Sequence, residues 1–355
     1  MKAGIMTFHW AANHGAVLQT YSLAKYLMEK YGIDVEIINY YPRNLEISFY
    51  NAIRTIKPRS LCRKLKELKK ESAIKPFRSS LPLTHRFYTN DELREAKFDY
   101  DIIFAGSDQI WNPYFLMNGE NKITPAYYLD FANNKARKIA ISASFGCYNF
   151  PNECKSIVVP FLNRFYAISV REKTGLDILN SMGMSNGNLT ADPTALITRD
   201  EYLKLCVQDS KFKPGCISKF ILRNQTSETN KLIENICCAY SKEKAIDIEI
   251  YSIPEWLTAI RDSKMVVTNS FHCVMMCLKL HTHFVAVLEN GTNAGMNDRF
   301  WTLLNTFGLT DRIVSDISDI NRIAGDIDFI KIDALMKKYS ETLECFIERN
   351  IHINE

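Results

Sequence analysis

No apolar run of about 18 residues occurs in the 355-residue chain, so nothing in it reads as a membrane-spanning helix. The opening stretch, MKAGIMTFHWAANHG, also lacks the apolar core of a signal peptide, which sets the expectation of a cytoplasmic protein. None of the ten cysteines forms a CxxC pair. Cys237 and Cys238 are adjacent, and Cys273 and Cys277 fall one helical turn apart with no matching pair elsewhere. Reduced, space-filling cysteine is therefore expected, and no metal site. A large excess of charge is lacking too: a formal net charge of +4 does not by itself imply a nucleic-acid partner, and none is expected. What remains is 46% hydrophobic and 24% charged residues, a soluble globular balance. At this length the chain is too long for one ordinary core and suits two domains.

Strands alternate with helices along both halves. KAGIMTF reads as a strand, HWAANHG as a loop, AVLQTYSLAKYLMEKYG as a helix stopped by Gly32, and DVEIINY as the next strand. That order is one parallel crossover unit. Further strands read at YDIIFAG, RKIAISAS, FYAISVR and NLTAD. After a loop near Lys211–Gly215 the theme repeats, with strands at CISKFILR, AIDIEIY, KMVVTNS and HFVAVL and helices between them. We expect an α/β protein with domains at residues 1–197 and 198–355, the final helical pattern, DALMKKYSETLECFIERN, crossing back onto the first.

One segment departs from the alternation. Residues 51–80 hold ten lysines or arginines against two glutamates, with Leu61, Leu65 and Leu68 at helical spacing beneath the charge. It reads as a solvated helical insertion, as a patch resting on an anionic membrane surface or, third, as a nucleic-acid contact, which the lack of aromatic residues interleaved with the charge disfavours.

In doubly wound sheets ligands bind beyond the C-terminal ends of the strands. Polar clusters fall at several such ends: His9–Gly15, Gly106–Pro113, Ala143–Gly146, Arg171–Glu172, Asp192–Thr194 and Thr268–His272. Each taken singly is ordinary turn or cap chemistry; their repeated placement argues for a site. On local grounds Arg171 reads equally as an ion pair with Glu172 or another acid and as an anion contact. Arg299 follows the loop NGTNAGMND at a helix start, a natural anion position, though an ordinary surface arginine would look the same. His272, where the strand VVTN joins the helix FHCVMMCLKL, reads as a hydrogen-bonded structural histidine or as a catalyst.

In this order and spacing, NHGAVLQTYSLAKYL, GSDQIWNP, SFG, ISVREKTG, ADPTAL and TNSFHCVMMCLKL resemble the polysaccharide pyruvyltransferase family over about residues 4–309. The resemblance implies two Rossmann-like domains facing a cleft, similar to the GT-B glycosyltransferase arrangement. It implies transfer of a carboxyvinyl unit from phosphoenolpyruvate to two hydroxyls of a sugar, giving a cyclic pyruvate ketal without a further cofactor. Carried over, Arg171, His272 and Arg299 contact the donor, Ser270 and Phe271 flank the histidine, and His272 is the general acid. Where the family often has glycine after the histidine, this chain has Cys273. The acceptor falls to the first domain, where Asn13, Gly15, Gln19, Asp108, Gln109 and Trp111 offer hydrogen bonds and an aromatic face, and Asp108 accepts a hydroxyl proton. The basic insertion suggests that the acceptor is a lipid-linked repeat-unit sugar. The alternatives are a GT-B-type glycosyltransferase using a nucleotide sugar and a non-catalytic protein on the same fold.

Overall fold

The computed structural model describes residues 1–42, 58–116, 125–208, 212, 215–222, 225–241, 243–288, 297–323 and 325–352, with side chains left undescribed at 58–63, 115, 321 and 322. Residues 51–57 of the basic segment, the side chain of Arg63 and most of the NGTNAGMND loop thus lie outside the described residues. The chain divides into two compact units: Met1–Leu68, Lys75–Leu196 and Tyr339–Glu355 make the first, and Lys69–Ile74 and Ile197–Lys338 the second.

The first unit is built on six parallel strands: β1 (Lys2–Met6), β2 (Asp34–Ile37), β3 (Ile102–Ala105), β4 (Arg137–Ala143), β5 (Ala167–Val170) and β6 (Asn188–Leu189). They lie in the order β2-β1-β3-β4-β5-β6. β3 and β5 are buried along their whole length, which is why they read as unbroken apolar runs rather than as alternating ones. Between β1 and β2 runs α1 (His14–Tyr31). Asn13 caps its start, accepting from the backbone N–H of Gly15 and Ala16, and Gly32 ends it at φ +61°, donating back to the Leu27 and Met28 carbonyls. The helices α2 (Pro58–Ser79), α3 (Asn90–Glu95), α4 (Pro113–Leu116), α5 (Asn152–Leu162) and α6 (Lys173–Ser181) follow in chain order.

In the second unit α7 (Arg199–Leu205) leads into β7 (Ile217–Phe220), α8 (Ser227–Tyr240), β8 (Ile246–Asp247), α9 (Ile253–Asp262), β9 (Met265–Thr268), α10 (Phe271–Leu280), β10 (His283–Val287), α11 (Asp298–Phe307) and β11 (Ile313–Val314). The five strands are again parallel, in the order β11-β10-β9-β7-β8. All ten residues of α10 are buried, as its all-round apolar sequence requires. The last helix, α12 (Phe329–Ile351), begins in the second unit and ends in the first.

Both sheets share one topology. The first strand sits beside the third, and the chain winds outward in opposite directions from that pair. Such a reversal opens a crevice at the C-terminal ends of the two central strands, the usual place for a ligand. In the first unit that place lies beyond β1 and β3; in the second, beyond β7 and β9.

The basic helix α2 corrects one expectation. Leu65 and Leu68, expected beneath the charge, are 49% and 41% exposed, whereas Lys64, Lys70 and Arg78 are buried. Lys70 Nζ lies 3.2 Å from Glu249 Oε1 and over the Phe220 ring, and Arg78 Nη1 donates to the Trp10 carbonyl at 2.8 Å. Part of the cationic run therefore serves the fold rather than an outer face.

Candidate functional site

Beyond β1 and β3 the backbone is tied across the reversal: Thr7 Oγ1 donates to the Ser107 carbonyl at 2.8 Å. Asp108 follows with φ +76°, a conformation that costs a non-glycine residue about 1–3 kcal/mol and persists only where its surroundings enforce it. Those surroundings are ionic. Arg171, arriving from the end of β5 with no exposed side-chain surface, places Nη2 3.2 Å from Asp108 Oδ1 and Nη1 3.0 Å from Asp192 Oδ2. Its Nε is 3.6 Å from Glu172 Oε2. Ser107 Oγ donates to Asp192 Oδ2 at 2.8 Å, and Asp192 Oδ1 caps the turn after β6 by accepting from Thr194 N and Oγ1. Burial alone would lower the Arg171 pKa, but Asp108, then Asp192 and Glu172, outweigh it and hold the guanidinium above the ordinary arginine value.

Three carboxylates thus surround one guanidinium. Asp192 and Glu172 side chains are 0% and 4% exposed, and Asp108 is the open member at 12%. The part-open Asp108 carboxylate is an acceptor that suits hydroxyl groups donating hydrogen bonds. The fork of Arg171, carried over as a donor contact, is engaged here by acids 21 and 63 residues away in the chain.

The other first-unit residues divide. The Gln109 backbone N–H donates to Asp108 Oδ1 at 2.9 Å, and Gln109 Oε1 accepts from Asn112 Nδ2 at 3.2 Å, so the two side chains are tied to each other. Asn13 and Gly15 are engaged in the cap of α1. Gln19 and Trp111, expected to face an acceptor, are fully buried. Gln19 Nε2 donates to Thr7 Oγ1 and the Ala16 carbonyl, and the Trp111 indole donates to the Tyr127 carbonyl and stacks on Tyr128 at 5.3 Å. Both work inward, setting the loops rather than meeting a ligand. His9 is buried as well, its Nδ1 3.2 Å from the Thr7 carbonyl and Nε2 3.0 Å from Asn39 Oδ1. Burial pushes its pKa down to about 4, against the raising influence of the Asn39 hydrogen bond.

The second reversal is built with neutral groups. Thr268 Oγ1 donates to the Phe220 carbonyl at the end of β7, and Ser270 N donates to Thr268 Oγ1 at 3.0 Å. The Asn269 side chain bridges to β7's exit, accepting from Leu222 N at 2.7 Å and donating to the Leu222 carbonyl at 3.0 Å. Ser270 then caps α10, accepting from Cys273 N. These bonds fix the turn that delivers His272 to the first turn of α10, where it is 4% exposed and meets Phe271 edge to face at 5.3 Å. The positive end of a buried ten-residue helix beside an imidazole favours an anion. Arg299 belongs to the same unit but to another element, the start of α11, where it is buried with its guanidinium 5.4 Å from the Phe300 ring centre. Asn269 is the residue whose role the sequence left least defined; its position directly after an apolar strand was the available signal. Among the described residues no group of three His, Cys, Asp or Glu could hold a metal ion.

The family model for polysaccharide pyruvyl transferase matches residues 13–291, well over half of the chain and both reversal points. The chain belongs to the polysaccharide pyruvyl transferase family. As a member of that family it is a transferase enzyme acting in polysaccharide synthesis. Solved structures extend the picture of the fold. A putative UDP-N-acetylglucosamine 2-epimerase from Listeria monocytogenes matches with a TM-score of 0.55 at 9% identity, over 98% of this chain and 94% of its own. S. aureus MnaA, solved with UDP, matches with a TM-score of 0.52 at 11% identity over the same shares. The UDP-GlcNAc 2-epimerase of Methanocaldococcus jannaschii, in complex with UDP-GlcNAc and UDP, gives 0.50 at 13% identity over 98% of this chain and 99% of its own. At such identities the likeness shows the fold alone, the GT-B type with two Rossmann-like units. No curated protein matches the chain.

Proposed function

We propose that this pyruvyl transferase takes its carboxyvinyl unit from phosphoenolpyruvate and closes it as a ketal on two hydroxyls of a sugar. The observation that carries the reading is the Thr268–His272 turn, which sets a histidine and a helix start together at the reversal of the second sheet. His272 protonates the methylene carbon of phosphoenolpyruvate, which becomes a methyl group and leaves an oxocarbenium-like centre at C2. Arg299 and the N-terminal end of α10 offer the positive charge that suits the donor's carboxylate and phosphate. One sugar hydroxyl forms a bond to C2 and gives its proton to Asp108. A second hydroxyl then displaces phosphate, which departs with the electron pair of the broken C–O bond and takes up that hydroxyl's proton, and the ketal closes. The hydroxyl-bearing acceptor belongs with Asp108, whose part-open carboxylate accepts hydrogen bonds, and with Gln109 beside it in the chain. Arg171 acts through Asp108, holding that carboxylate in place by an ion pair at 3.2 Å, and is a positioning residue. No resident cofactor enters this scheme.

The acceptor we propose is lipid-linked, with α2 resting on an anionic membrane surface. The exposed Leu65 and Leu68 with exposed Lys69 and Lys75 nearby support this, being the mixture of apolar and cationic groups that interfacial helices use. Among the described residues no helix is long and apolar enough to cross a membrane. Sedimentation with phosphatidylserine vesicles tests it: the double variant Leu65→Glu, Lys69→Glu should lose binding, and equal binding by wild type and variant would end the membrane reading. For the reaction itself, incubation with phosphoenolpyruvate and a panel of lipid-linked sugars should release phosphate and produce a ketal methyl signal by NMR. Release of a nucleoside diphosphate from nucleotide sugars instead would favour a glycosyltransferase.

A further inference from the structure

A cavity of about 610 Å³ opens on the first unit between the loop after β4, the start of α5 and the second half of α6. Its size falls within the usual range for small-molecule sites. Tyr148, Phe150 and Pro151 supply an apolar wall, and Asn149, Asn152, Lys155 and Asp177 supply a polar rim. Tyr148 keeps 47% of its surface exposed. Tyr114 and Tyr166 are also exposed, but neither lines this cavity. An aromatic face beside side chains that both donate and accept is the complement of a sugar ring, which has an apolar C–H face and a hydroxyl rim.

The loop that carries Tyr148 is joined to the candidate acceptor residues. Ser144 N donates to the Asp108 carbonyl at 3.0 Å, Trp111 N donates to the Ser144 carbonyl at 3.2 Å, and Phe145 N donates to Glu172 Oε1 at 3.2 Å. Gly146 then turns at φ +60° so close to Gln109 that a Cβ would stand 2.7 Å from its Oε1 and 2.8 Å from Asn112 Nδ2. The left-handed backbone favours glycine there, and a larger residue would push the ends of both side chains aside. Tyr148 follows two residues later, about 7 Å of extended chain away.

We propose that this cavity is a saccharide subsite holding the part of the acceptor glycan beyond the sugar that is modified. The inference rests on the acceptor side of the function proposed above. It names a role for Tyr148, Lys155 and Asp177, which the transfer chemistry does not use. A glycan seated with its reacting sugar at Asp108 passes Gly146 and lays its next ring on Tyr148, with Lys155 and Asp177 as one donor and one acceptor at the rim.

The test is an immobilised panel of oligosaccharides one to four units long, built from hexoses, N-acetylhexosamines and uronic acids. Wild type, Tyr148→Ala and Asp177→Ala are probed on it, with a phosphoenolpyruvate thermal shift run on each. Wild type should hold members of two or more units more tightly than single sugars, and both variants should weaken that binding at least tenfold. The melting temperatures and phosphoenolpyruvate shifts should stay at wild-type values. Unchanged glycan binding by both variants, or no glycan binding by wild type, would overturn the subsite. Glycan binding lost in the variants, with no phosphoenolpyruvate shift in any of the proteins, would uphold the subsite and count against the donor.

Discussion

The two reversal points share a topology and differ in what holds them. Beyond β1 and β3 the loops are held by ions, three carboxylates around a buried guanidinium, with an aspartate forced to φ +76°. Beyond β7 and β9 they are held by hydrogen bonds from a threonine, an asparagine and a serine, and a histidine rides on the helix that follows. On the proposed reading the first place takes the hydroxyl acceptor and the second the anionic donor. A transferase that joins an anionic donor to a hydroxyl acceptor needs both kinds.

The comparison breaks most visibly at Arg171. Replacing it with methionine leaves buried carboxylates facing one another without their counter-ion, a change that typically costs about 3–5 kcal/mol. Chemical denaturation should show that loss, while Arg171→Lys recovers part of it. If Arg171 contacted the donor instead, the methionine variant would keep its stability and lose phosphoenolpyruvate binding.

His272→Gln sharpens the other side. Loss of a general acid lowers turnover by about 100- to 10,000-fold, and the denaturation midpoint should move little, since glutamine keeps a hydrogen-bonding side chain of similar reach there. Steady-state kinetics and a denaturant titration on one preparation separate the two effects.

Acid distinguishes the units by a smaller effect. The folded-state pKa of His9, about 4, lies below the unfolded value of about 6.5, so between those values the unfolded chain binds more protons. Stability from this group is full above pH 6.5 and is lost as the pH falls toward 4. Hydrogen exchange should show β1 and α1 losing protection across that window. His9→Gln should flatten the dependence there, and an unchanged acid response of β1 and α1 in the variant would count against it.

How much of this was legible in the sequence follows from which interactions are local. The strand–helix alternation and both reversal loops could be read because each strand is a short apolar run and each helix carries its own cap, Asn13 and Ser270 among them. The resemblance correctly gave the family and the two Rossmann-like units. Side-chain direction was not legible. Gln19 and Trp111 have ligand-like chemistry at ligand-like positions, yet their partners Thr7 and Tyr127 turn them inward. Lys70 looked solvated, but its acid is Glu249, 179 residues on. The strands β8 and β11 are two residues long and rest on pairing with their neighbours, so AIDIEIY overstated the first and nothing around Ile313 signalled the second. Tyr148 passed unnoticed because a lone tyrosine in a loop has no pattern until the cavity around it is seen.

The division of labour between the two reversal points is tested most directly by calorimetric titration of phosphoenolpyruvate into wild type, His272→Ala and Asp108→Asn. Asparagine tolerates the left-handed backbone and removes only the charge. The account predicts binding weakened at least tenfold by His272→Ala and left unchanged or tightened by Asp108→Asn. Binding lost in Asp108→Asn and retained in His272→Ala would place the donor on the first unit and contradict it.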